Sequence, residues 1–316
     1  MNILVTAIGS FSADCVINSL KNQGHKVVGC DIYPSIWHAV SRDCDHVYQV
    51  PFATQEKDYI SVLLNVCCQE QIDCIFPLTD LEIDVLNRYR NDFIEADVAL
   101  FIQSESCLAI ARDKFKLYTL FENDEKVNVP YSVSSKKLPS DFPIPAIAKP
   151  VNGRSSEGLI KITSKKELTD LEGVDNYLIQ QNISGPVYTV DYVRDKFNHD
   201  FAVPREELLR TKNGAGTTVR IISNESLINT VSYIGKKLDI VGCVNMEFIH
   251  HNDNYYLIDI NPRFSAGVAF SSFIGYDMVL SHLNAFMGNH IGPAIDYKEQ
   301  IICKRYKEQL LWINEE

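Results

Sequence analysis

The chain has 316 residues, of which 46% are hydrophobic, 10% aromatic and 22% charged. These proportions exclude a disordered, collagen-like or small disulfide-stapled protein, and the length predicts two domains or one subdivided domain. With 41 acidic against 30 basic residues, the net charge is −11, which argues against a broad nucleic-acid-binding surface.

No charged leader precedes an apolar segment at the N-terminus, and no apolar run approaches the roughly 18 residues that span a bilayer. The nine cysteines form no C-x-x-C pair and are odd in number, so neither a zinc knuckle nor a complete disulfide framework is indicated. His250 and His251 lie in a polar segment, which favours a solvated loop over a metal site. We therefore expect a cytoplasmic protein that contacts neither membrane nor nucleic acid.

The first hundred residues alternate short apolar runs with helical patterns. Strands are predicted at 3–5, 26–31, 74–77 and 98–102, and helices over 13–21, 57–70 and 80–90. Repeated strand–helix units predict a parallel sheet, on which ligands lie beyond the carboxyl ends of the strands. These ends fall near Gly9, Asp31 and Asp80.

The turn after the first strand tests for a nicotinamide-binding domain, because close approach to a pyrophosphate needs the pattern G-x-G-x-x-G. Residues 7–12 contain one glycine, Gly9. Asp31 ends the second strand and would suit a ribose, but acidic residues often end strands. A structural half-domain is favoured, and an NAD(P)-dependent oxidoreductase is the weaker alternative.

The second half of the chain has a different pattern. A helix is predicted over 106–122, and a proline-rich connection follows from 124 to 145. Beyond it strands dominate, at 158–163, 176–182, 187–194 and 244–261. The chain is thus predicted to be an α/β domain followed by an α+β domain.

Lys149 ends an apolar strand and precedes a loop of small polar residues between Gly153 and Gly158. Such a loop can hold phosphates through backbone N–H groups and one ammonium, although a plain hairpin loop is an equal alternative. Leu159 and Ile160 stand where a P-loop has Lys and Ser or Thr, which excludes a Walker-type fold. Further on, the strand–bend–strand segment at 177–191 has a backbone that can bind a purine edge.

A hairpin is predicted over 244–261, with its turn at 250–254. Alternation predicts one buried face made of Met246, Phe248, Ile258 and Ile260. If residue 247 lies opposite residue 259, Glu247 and Asp259 are close, and two close carboxylates repel unless a cation lies between them. With the amide of Asn261 they suit Mg²⁺, and Arg263 is placed to meet an anion. The alternative is a half-buried hairpin with a solvated polar face.

These segments occur in an order that resembles the ATP-grasp superfamily: Lys149 with its loop, the 180–191 hinge, and Asn245-x-Glu247-Phe248 followed by Asp259-x-Asn261-Pro262-Arg263. The chain is most similar to carboxylate–amine ligases like the carbamoyl-phosphate synthase large chain and the pyrrolysine-pathway ligase. The resemblance implies a Rossmann-like pre-ATP-grasp domain (1–105), an ATP-grasp small lobe with a phosphate lid (106–182) and a large lobe with a metal site (183–316).

The resemblance also implies roles for individual residues. ATP is expected to contact Lys114, Lys149, Ser155, Ser156, Gly158, Gln180, Gln181 and Ile183. Mg²⁺, or Mn²⁺ in its place, is expected on Glu247, Asp259 and Asn261. Arg263 and Lys149 are the expected catalytic residues, and Thr79, Asp80, Arg205 and Arg210 are expected at the substrate pocket. Val187 departs from the pattern, since many relatives carry a ribose-binding acid there.

The implied activity is an ATP- and Mg²⁺-dependent, ADP-forming ligase. It would activate a small-molecule carboxylate as an acyl phosphate and join it to an amine, with amino-acid-like substrates. A homodimer is the general expectation for such an enzyme. A non-catalytic nucleotide sensor on the same fold is the alternative.

Overall fold

The computed structural model describes residues 1–153, 158–212 and 214–304. Its first part comprises β1 (Asn2–Thr6), α1 (Ala13–Asn22), β2 (Lys26–Asp31), β3 (His46–Gln49), α2 (Glu56–Glu70), β4 (Cys74–Phe76), α3 (Asp80–Arg88), α4 (Arg90–Glu95) and β5 (Ala99–Leu100). Two short 3₁₀ turns, Ser35–Trp37 and Ala39–Asp43, lie between β2 and β3. The strands form a parallel sheet in the order β3-β2-β1-β4-β5, which confirms the predicted α/β domain.

A smaller, four-stranded antiparallel sheet and its neighbouring helices follow. The elements of this segment are α5 (Glu105–Ala111), α6 (Lys114–Phe121), β6 (Ser132–Ser134), a 3₁₀ turn (Ser135–Lys137), β7 (Ala146–Pro150), β8 (Ile160–Ile162), α7 (Lys165–Thr169) and β9 (Tyr177–Gln181). The strands lie in the order β6-β9-β7-β8. A small core of its own, which includes Ala148, Ile162 and Ile179, holds this sheet together. The four-stranded sheet therefore has its own packing, whereas Leu117 and Phe121 of α6 pack in a different core, with side chains of the large sheet described below.

The single helix predicted over 106–122 is wrong, because the segment forms two helices, α5 and α6. The carboxylate of Asp113 accepts hydrogen bonds from the backbone N–H groups of Phe115 (3.0 Å) and Lys116 (2.9 Å). A short acidic side chain stabilises a helix N-terminus better than a helix interior, so Asp113 starts a new helix. The break at Asp113 separates Arg112, which follows α5, from Lys114, which starts α6.

The third part is a six-stranded antiparallel sheet with flanking helices. It comprises β10 (Val187–Arg194), β11 (Asp200–Arg210), β12 (Gly216–Ile221), α8 (Glu225–Lys237), β13 (Gly242–His251), β14 (Asn254–Asn261), α9 (Val268–Phe273), α10 (Met278–Phe286) and β15 (Gln300–Cys303). The strand order is β14-β13-β10-β11-β12-β15. Strands β11, β12 and β15 and helices α8 to α10 were not predicted from the sequence.

The first sheet and the large sheet share one hydrophobic core. Side chains alternate along β1, so Leu4 packs with α2 and α3, whereas Ile3 and Val5 face α1. The cluster around Ile3 and Val5 continues into Met278 of α10 and Val193 of β10. This shared core fixes the carboxyl ends of the parallel strands against the large sheet. Within the described residues, no helix has both the length and the apolar character needed to cross a bilayer.

Candidate functional site

The hairpin of β13 and β14 presents the acidic side chains of the site. A two-residue turn joins the strands, and its residues Asn252 and Asp253 have φ values of 47° and 63°, a conformation that Asn and Asp tolerate. The turn is shorter than the predicted 250–254, since β13 continues to His251. Glu247 lies opposite Asp259, so the predicted register is confirmed.

A β-bulge at Ile258 produces that register. The turn pairs His251 with Asn254, and an unbroken ladder would place Glu247 opposite Ile258. The bulge inserts Ile258 as an extra residue, so that Ile258 and Asp259 both face Glu247. The prediction that Ile258 is buried is therefore wrong: Leu257 takes the core position at 2% exposure, and Ile258 lines the cleft.

Cations surround the two carboxylates. Arg210 donates from Nη2 to Oε2 of Glu247 (3.2 Å), and Lys114 donates from Nζ to Oδ1 of Asp259 (3.0 Å). Burial raises the pKa of the Glu247 carboxyl above its ordinary value, Arg210 opposes this, and the nearby Asp259 charge raises it further. A pair of acidic groups this close is costly without positive charge between or beside them.

Two lysines from the small lobe converge on the same hairpin. Lys149, near the end of β7, donates from Nζ to the carbonyl of Ile258 (3.3 Å). Lys114, the first residue of α6, also donates to the carbonyl of Gly153 (3.1 Å), at the start of the loop after β7. Burial lowers the pKa of Lys149 to about 8, the charge of Asp259 opposes this and that of Lys114 adds to it. An anion at this position would favour the charged form of Lys149.

Asn261 lies beside the two carboxylates. Its Nδ2 donates to Oδ1 of Asn245 (3.0 Å) and approaches Oε1 of Glu247 (3.5 Å). Its Oδ1 accepts a hydrogen bond from Nη2 of Arg263 (3.2 Å). Two carboxylates and one amide oxygen fit the oxygen-only ligand set that Mg²⁺ prefers, with phosphate and water completing an octahedron. The donor set therefore fits a magnesium–nucleotide complex.

Arg263 is held by a residue of the first domain. Its Nε and Nη2 donate to Oδ2 of Asp80 at 3.1 and 2.9 Å. Oδ1 of Asp80 lies 3.6 Å from Nη1 of Arg112, and the Asp80 side chain is 3% exposed. Although burial acts to raise it, the charges of Arg263 and Arg112 hold the pKa of Asp80 below its ordinary value. Asp80, predicted at the substrate pocket, thus positions Arg263 through an ion pair.

The two arginines predicted on β11 occupy different environments. Arg205 is 1% exposed and donates to Asp191 (2.7 Å), Ser265 (3.0 Å) and Glu207 (3.2 Å). Its guanidinium is engaged on three sides, so it supports the wall of the cleft. Arg210 is more open, at 28% side-chain exposure, and remains placed to meet an anion beside Glu247.

The remaining predicted positions are spread more widely. Thr79 lines the cleft and donates to Glu82 (2.7 Å). Gln180 is buried and donates to Ser132 (2.9 Å), so its side chain points away from the cleft. Three further predicted ATP contacts lie outside the cleft lining: Gln181, Ile183 and Gly158. Ser155 and Ser156 fall outside the described residues.

A cleft of about 620 Å³ lies between the first domain and the large sheet. It contains two residues with buried side chains that the sequence did not single out as ligands, Glu207 and Asn245. Among the described residues, Oε2 of Glu207 and Nδ2 of Asn245 have no hydrogen-bond partner. Buried polar atoms are normally paired, so these two mark places where a ligand would bond. The signal in the sequence was alternation: Asn245 shares a strand face with Glu247.

The loop after β1 also borders the cleft, but it is already filled. The carboxylate of Asp31 accepts the Gly9 N–H (2.9 Å) and lies 3.2 Å from Nε2 of His38. A Cβ on Gly9 would come within 2.7 Å of the His38 ring. Asp31 is thus bonded to the backbone of the turn and His38 packs against Gly9, which leaves little room for the close approach of a pyrophosphate and counts against the dinucleotide alternative.

Comparison with known families assigns most of the chain. The model described as "ATP-grasp domain" matches residues 111–267, and the model described as "PylC-like, N-terminal domain" matches residues 3–101. The predicted fold, an N-terminal Rossmann-like domain followed by ATP-grasp lobes, is thereby confirmed.

Individual relatives are distant. The chain is 22% identical to the arginine-specific carbamoyl phosphate synthase large chain of Bacillus subtilis, over 91% of this chain and 30% of that protein. It is 27% identical to D-alanine–D-alanine ligase of Petrotoga mobilis, over 50% of this chain and 58% of that protein. The chain thus spans less than two thirds of these curated relatives.

Among solved structures, similar folds include the biotin carboxylase domain dimer of 2-oxoglutarate carboxylase from Hydrogenobacter thermophilus, in complex with MgADP, ADP and bicarbonate. The TM-score is 0.78 at 16% identity, covering 95% of this chain and 74% of that one. At this identity the likeness concerns the fold.

Proposed function

We propose that this chain, which belongs to the ATP-grasp family, is an ATP- and Mg²⁺-dependent ligase that joins a small-molecule carboxylate to an amine. The observation that carries the proposal is the convergence, on one hairpin, of two carboxylates with two lysines and an arginine. Glu247 and Asp259 come from adjacent strands, Lys149 and Lys114 from the small lobe, and Arg263 from the segment after β14.

Each residue has a role that follows from its charge and position. Glu247, Asp259 and Asn261 would hold Mg²⁺, which when bound neutralises phosphate charge and orients the phosphate oxygens. Lys149 and Lys114 would bind phosphate oxygens of ATP. Arg263 lines the cleft and is held by Asp80, so it can stabilise charge on the transferred phosphoryl group and on the substrate carboxylate.

The reaction proceeds in two balanced steps. An oxygen of the substrate carboxylate attacks the γ-phosphorus, the bond to the β-phosphate oxygen breaks, and ADP leaves with that electron pair. The amine nitrogen then attacks the acyl carbon, phosphate leaves, and the nitrogen loses a proton to give the amide. Positioning and charge neutralisation supply most of the rate enhancement in phosphoryl transfer, and this chain provides both.

The substrate class is proposed from the cleft. Its volume of about 620 Å³ lies within the range of roughly 300–1,000 Å³ typical of small-molecule sites. It offers cationic groups, Arg210 and Arg263, together with the buried carboxylate of Glu207. Such a lining can bind both charges of an amino acid, and one relative is a D-alanine–D-alanine ligase. Amino-acid-like substrates are therefore proposed.

The direct test measures ADP release from MgATP across pairs of amino acids, with amide formation followed by mass spectrometry. The wild type should release ADP only with a productive acid and amine. Glu247→Gln and Asp259→Asn should each reduce turnover by at least about 10²-fold, since each removes a charge from the metal ligand set.

Glu206→Gln is the matched control. Glu206 lies on β11 and pairs with Arg220, whose side chain is 47% exposed, outside the cleft lining. This variant loses the same charge and should keep wild-type turnover. Full activity in both Glu247→Gln and Asp259→Asn would refute the metal assignment. ATP binding without ADP release for any substrate pair would instead support the nucleotide sensor.

A further inference from the structure

Three metal-ligating side chains meet at the end of the large sheet far from the cleft. Asp195 follows β10, His199 lies in the turn before β11, and His290 follows α10. Nδ1 of His199 lies 3.0 Å from Oδ2 of Asp195 and 3.0 Å from Nδ1 of His290, and Nδ1 of His290 lies 3.3 Å from the same Oδ2. One carboxylate oxygen and two imidazole nitrogens therefore form a compact triangle.

The carboxylate at the base of this triangle is rigidly placed. Asp195 is 0% exposed, and its Oδ1 accepts the backbone N–H groups of Phe197 (2.8 Å) and His199 (2.9 Å). Its Oδ2 also accepts the N–H of Ile291 (3.3 Å). These three backbone hydrogen bonds hold the carboxylate in one orientation.

The two imidazoles are oriented but open. Both side chains are 61% exposed, and the ring of Phe197 lies 4.3 Å from that of His290. The two Nδ1 atoms lie within hydrogen-bond distance of each other and of the same carboxylate oxygen. A neutral imidazole donates from only one of its nitrogens, so hydrogen bonds cannot satisfy all three of these close contacts. The arrangement is better satisfied if lone pairs from both rings converge on one cation.

The distances match a tetrahedral metal centre. With metal–ligand bonds of about 2.0–2.1 Å, ligand atoms at tetrahedral angles lie about 3.3 Å apart. The three separations here are 3.0, 3.0 and 3.3 Å, so little movement is needed to admit an ion. Two imidazoles with one carboxylate suit Zn²⁺ and its neighbours, whereas Mg²⁺ prefers oxygen ligands alone.

We infer that Asp195, His199 and His290 form a binding site for a transition-metal dication of the Zn²⁺ class, with water at the open position. The ion would tie the β10–β11 turn to the chain that leaves α10 and leads to β15. Thr189, which pairs with Glu247, is six residues before Asp195, or about 20 Å along an extended strand. The site is therefore separate from the proposed magnesium site and does not depend on it.

In the test, the full chain is treated with EDTA and then titrated with Zn²⁺ alone. Calorimetry measures the binding, and thermal unfolding measures the stability of the chain with and without Zn²⁺. The wild type should bind one equivalent that raises its unfolding temperature, because an ion that binds the folded state stabilises it. His199→Ala and His290→Ala should each weaken the affinity for this Zn²⁺ by at least about tenfold. That lower bound is the loss of metal affinity seen when a residue that only supports a metal ligand is replaced. Both histidines are exposed, so the variants should fold.

The matched control is the double variant His250→Ala, His251→Ala, which removes two histidines near the β13–β14 turn. It should bind Zn²⁺ as the wild type does. Co²⁺ gives a second readout, since three-ligand coordination should produce a visible absorption band that both triad variants lose. Unchanged Zn²⁺ stoichiometry and affinity in the triad variants, or no Zn²⁺ binding by the wild type, would overturn the inference. MgATP-dependent ADP release should be unaffected in every variant.

Discussion

Replacing Asp80 with Asn tests whether the first domain positions Arg263. Asp80 accepts two hydrogen bonds from Arg263 at 3.1 and 2.9 Å and lies 3.6 Å from Arg112. Asn keeps the shape of the side chain but removes its charge. Its NH₂ group can also face the guanidinium, which has no hydrogen-bond acceptor to receive it. Breaking a buried ion pair by removing one partner costs about 3–5 kcal/mol, and the isosteric amide should place Asp80→Asn near the lower end.

The same substitution should lower kcat. A misplacement of about 1 Å at a reacting centre can cost about 10²-fold in rate, so we expect kcat to fall by that factor while the KM for ATP changes little. Asp84→Asn is the matched control. Asp84 also pairs with Arg112 (2.9 Å), but it is 30% exposed, so its loss should cost less than about 1 kcal/mol.

The pH dependence of this effect has a defined sign. Because the pKa of Asp80 is lowered in the folded state from an ordinary value of 3.8, its stabilisation is present above about pH 4 and is lost as the pH falls through the folded pKa. The gap in unfolding free energy between wild type and Asp80→Asn, measured in urea, should therefore narrow below that pH.

A double-mutant cycle decides the mechanism. If Asp80 acts through Arg263, Asp80→Asn should cause little further loss of kcat in a chain that already carries Arg263→Gln. The coupling energy between the two residues should then be about 1–3 kcal/mol. Additive losses in the cycle, or wild-type kcat in Asp80→Asn, would refute the positioning role. A loss of stability without any loss of kcat would show that the ion pair only holds the two parts of the chain together.

Three further substitutions have distinct expected outcomes. Lys149→Met should abolish ADP release yet raise the unfolding free energy at pH 7 by about 1–2 kcal/mol, after discounting for solvent screening. Burial lowers the pKa of Lys149 from 10.5 to about 8, so the charged form destabilises the fold below about pH 8, and this penalty disappears as the pH rises from there to the ordinary value. Arg205→Met should cost about 3–5 kcal/mol in urea unfolding by leaving Asp191 buried without its 2.7 Å partner. Gly216→Ala should cost about 1–3 kcal/mol, since its Cβ would lie 1.9 Å from Oε2 of the buried Glu207; unchanged stability would show that this carboxylate can move.

The sequence was informative where local alternation decides the structure. The shared polar face of Asn245 and Glu247, and that of Asp259 and Asn261, follows from a period of two, whereas the pairing of Glu247 with Asp259 also needs the bulge. Alternation failed at Ile258, because a β-bulge places two successive side chains on one face. No local pattern distinguishes Ile258 from Ile260, and the difference arises from the bulge, which shifts the register by one residue.

Arginine function was less predictable, because it depends on partners distant in sequence. Arg205 and Arg210 lie five residues apart on one strand, but Arg205 is buried by Asp191 and Ser265 while Arg210 borders the cleft. Neither Asp191 nor Ser265 is close to Arg205 in the chain, so the family resemblance implied the same role for both arginines. Burial separates a supporting guanidinium from one that can contact a ligand.

The pairing of Asp80 with Arg263 is the extreme case, since 183 residues separate the two. Each was identifiable from its local setting: Asp80 from the end of a parallel strand, and Arg263 from the segment after the metal ligands. Their contact depends on how the first sheet packs against the large sheet through the core around Ile3 and Met278. A substitution that loosens that core should therefore reduce activity through the orientation of Arg263, even though it lies outside the cleft. If Arg263 acts on the substrates as proposed, the first domain is part of the catalytic apparatus.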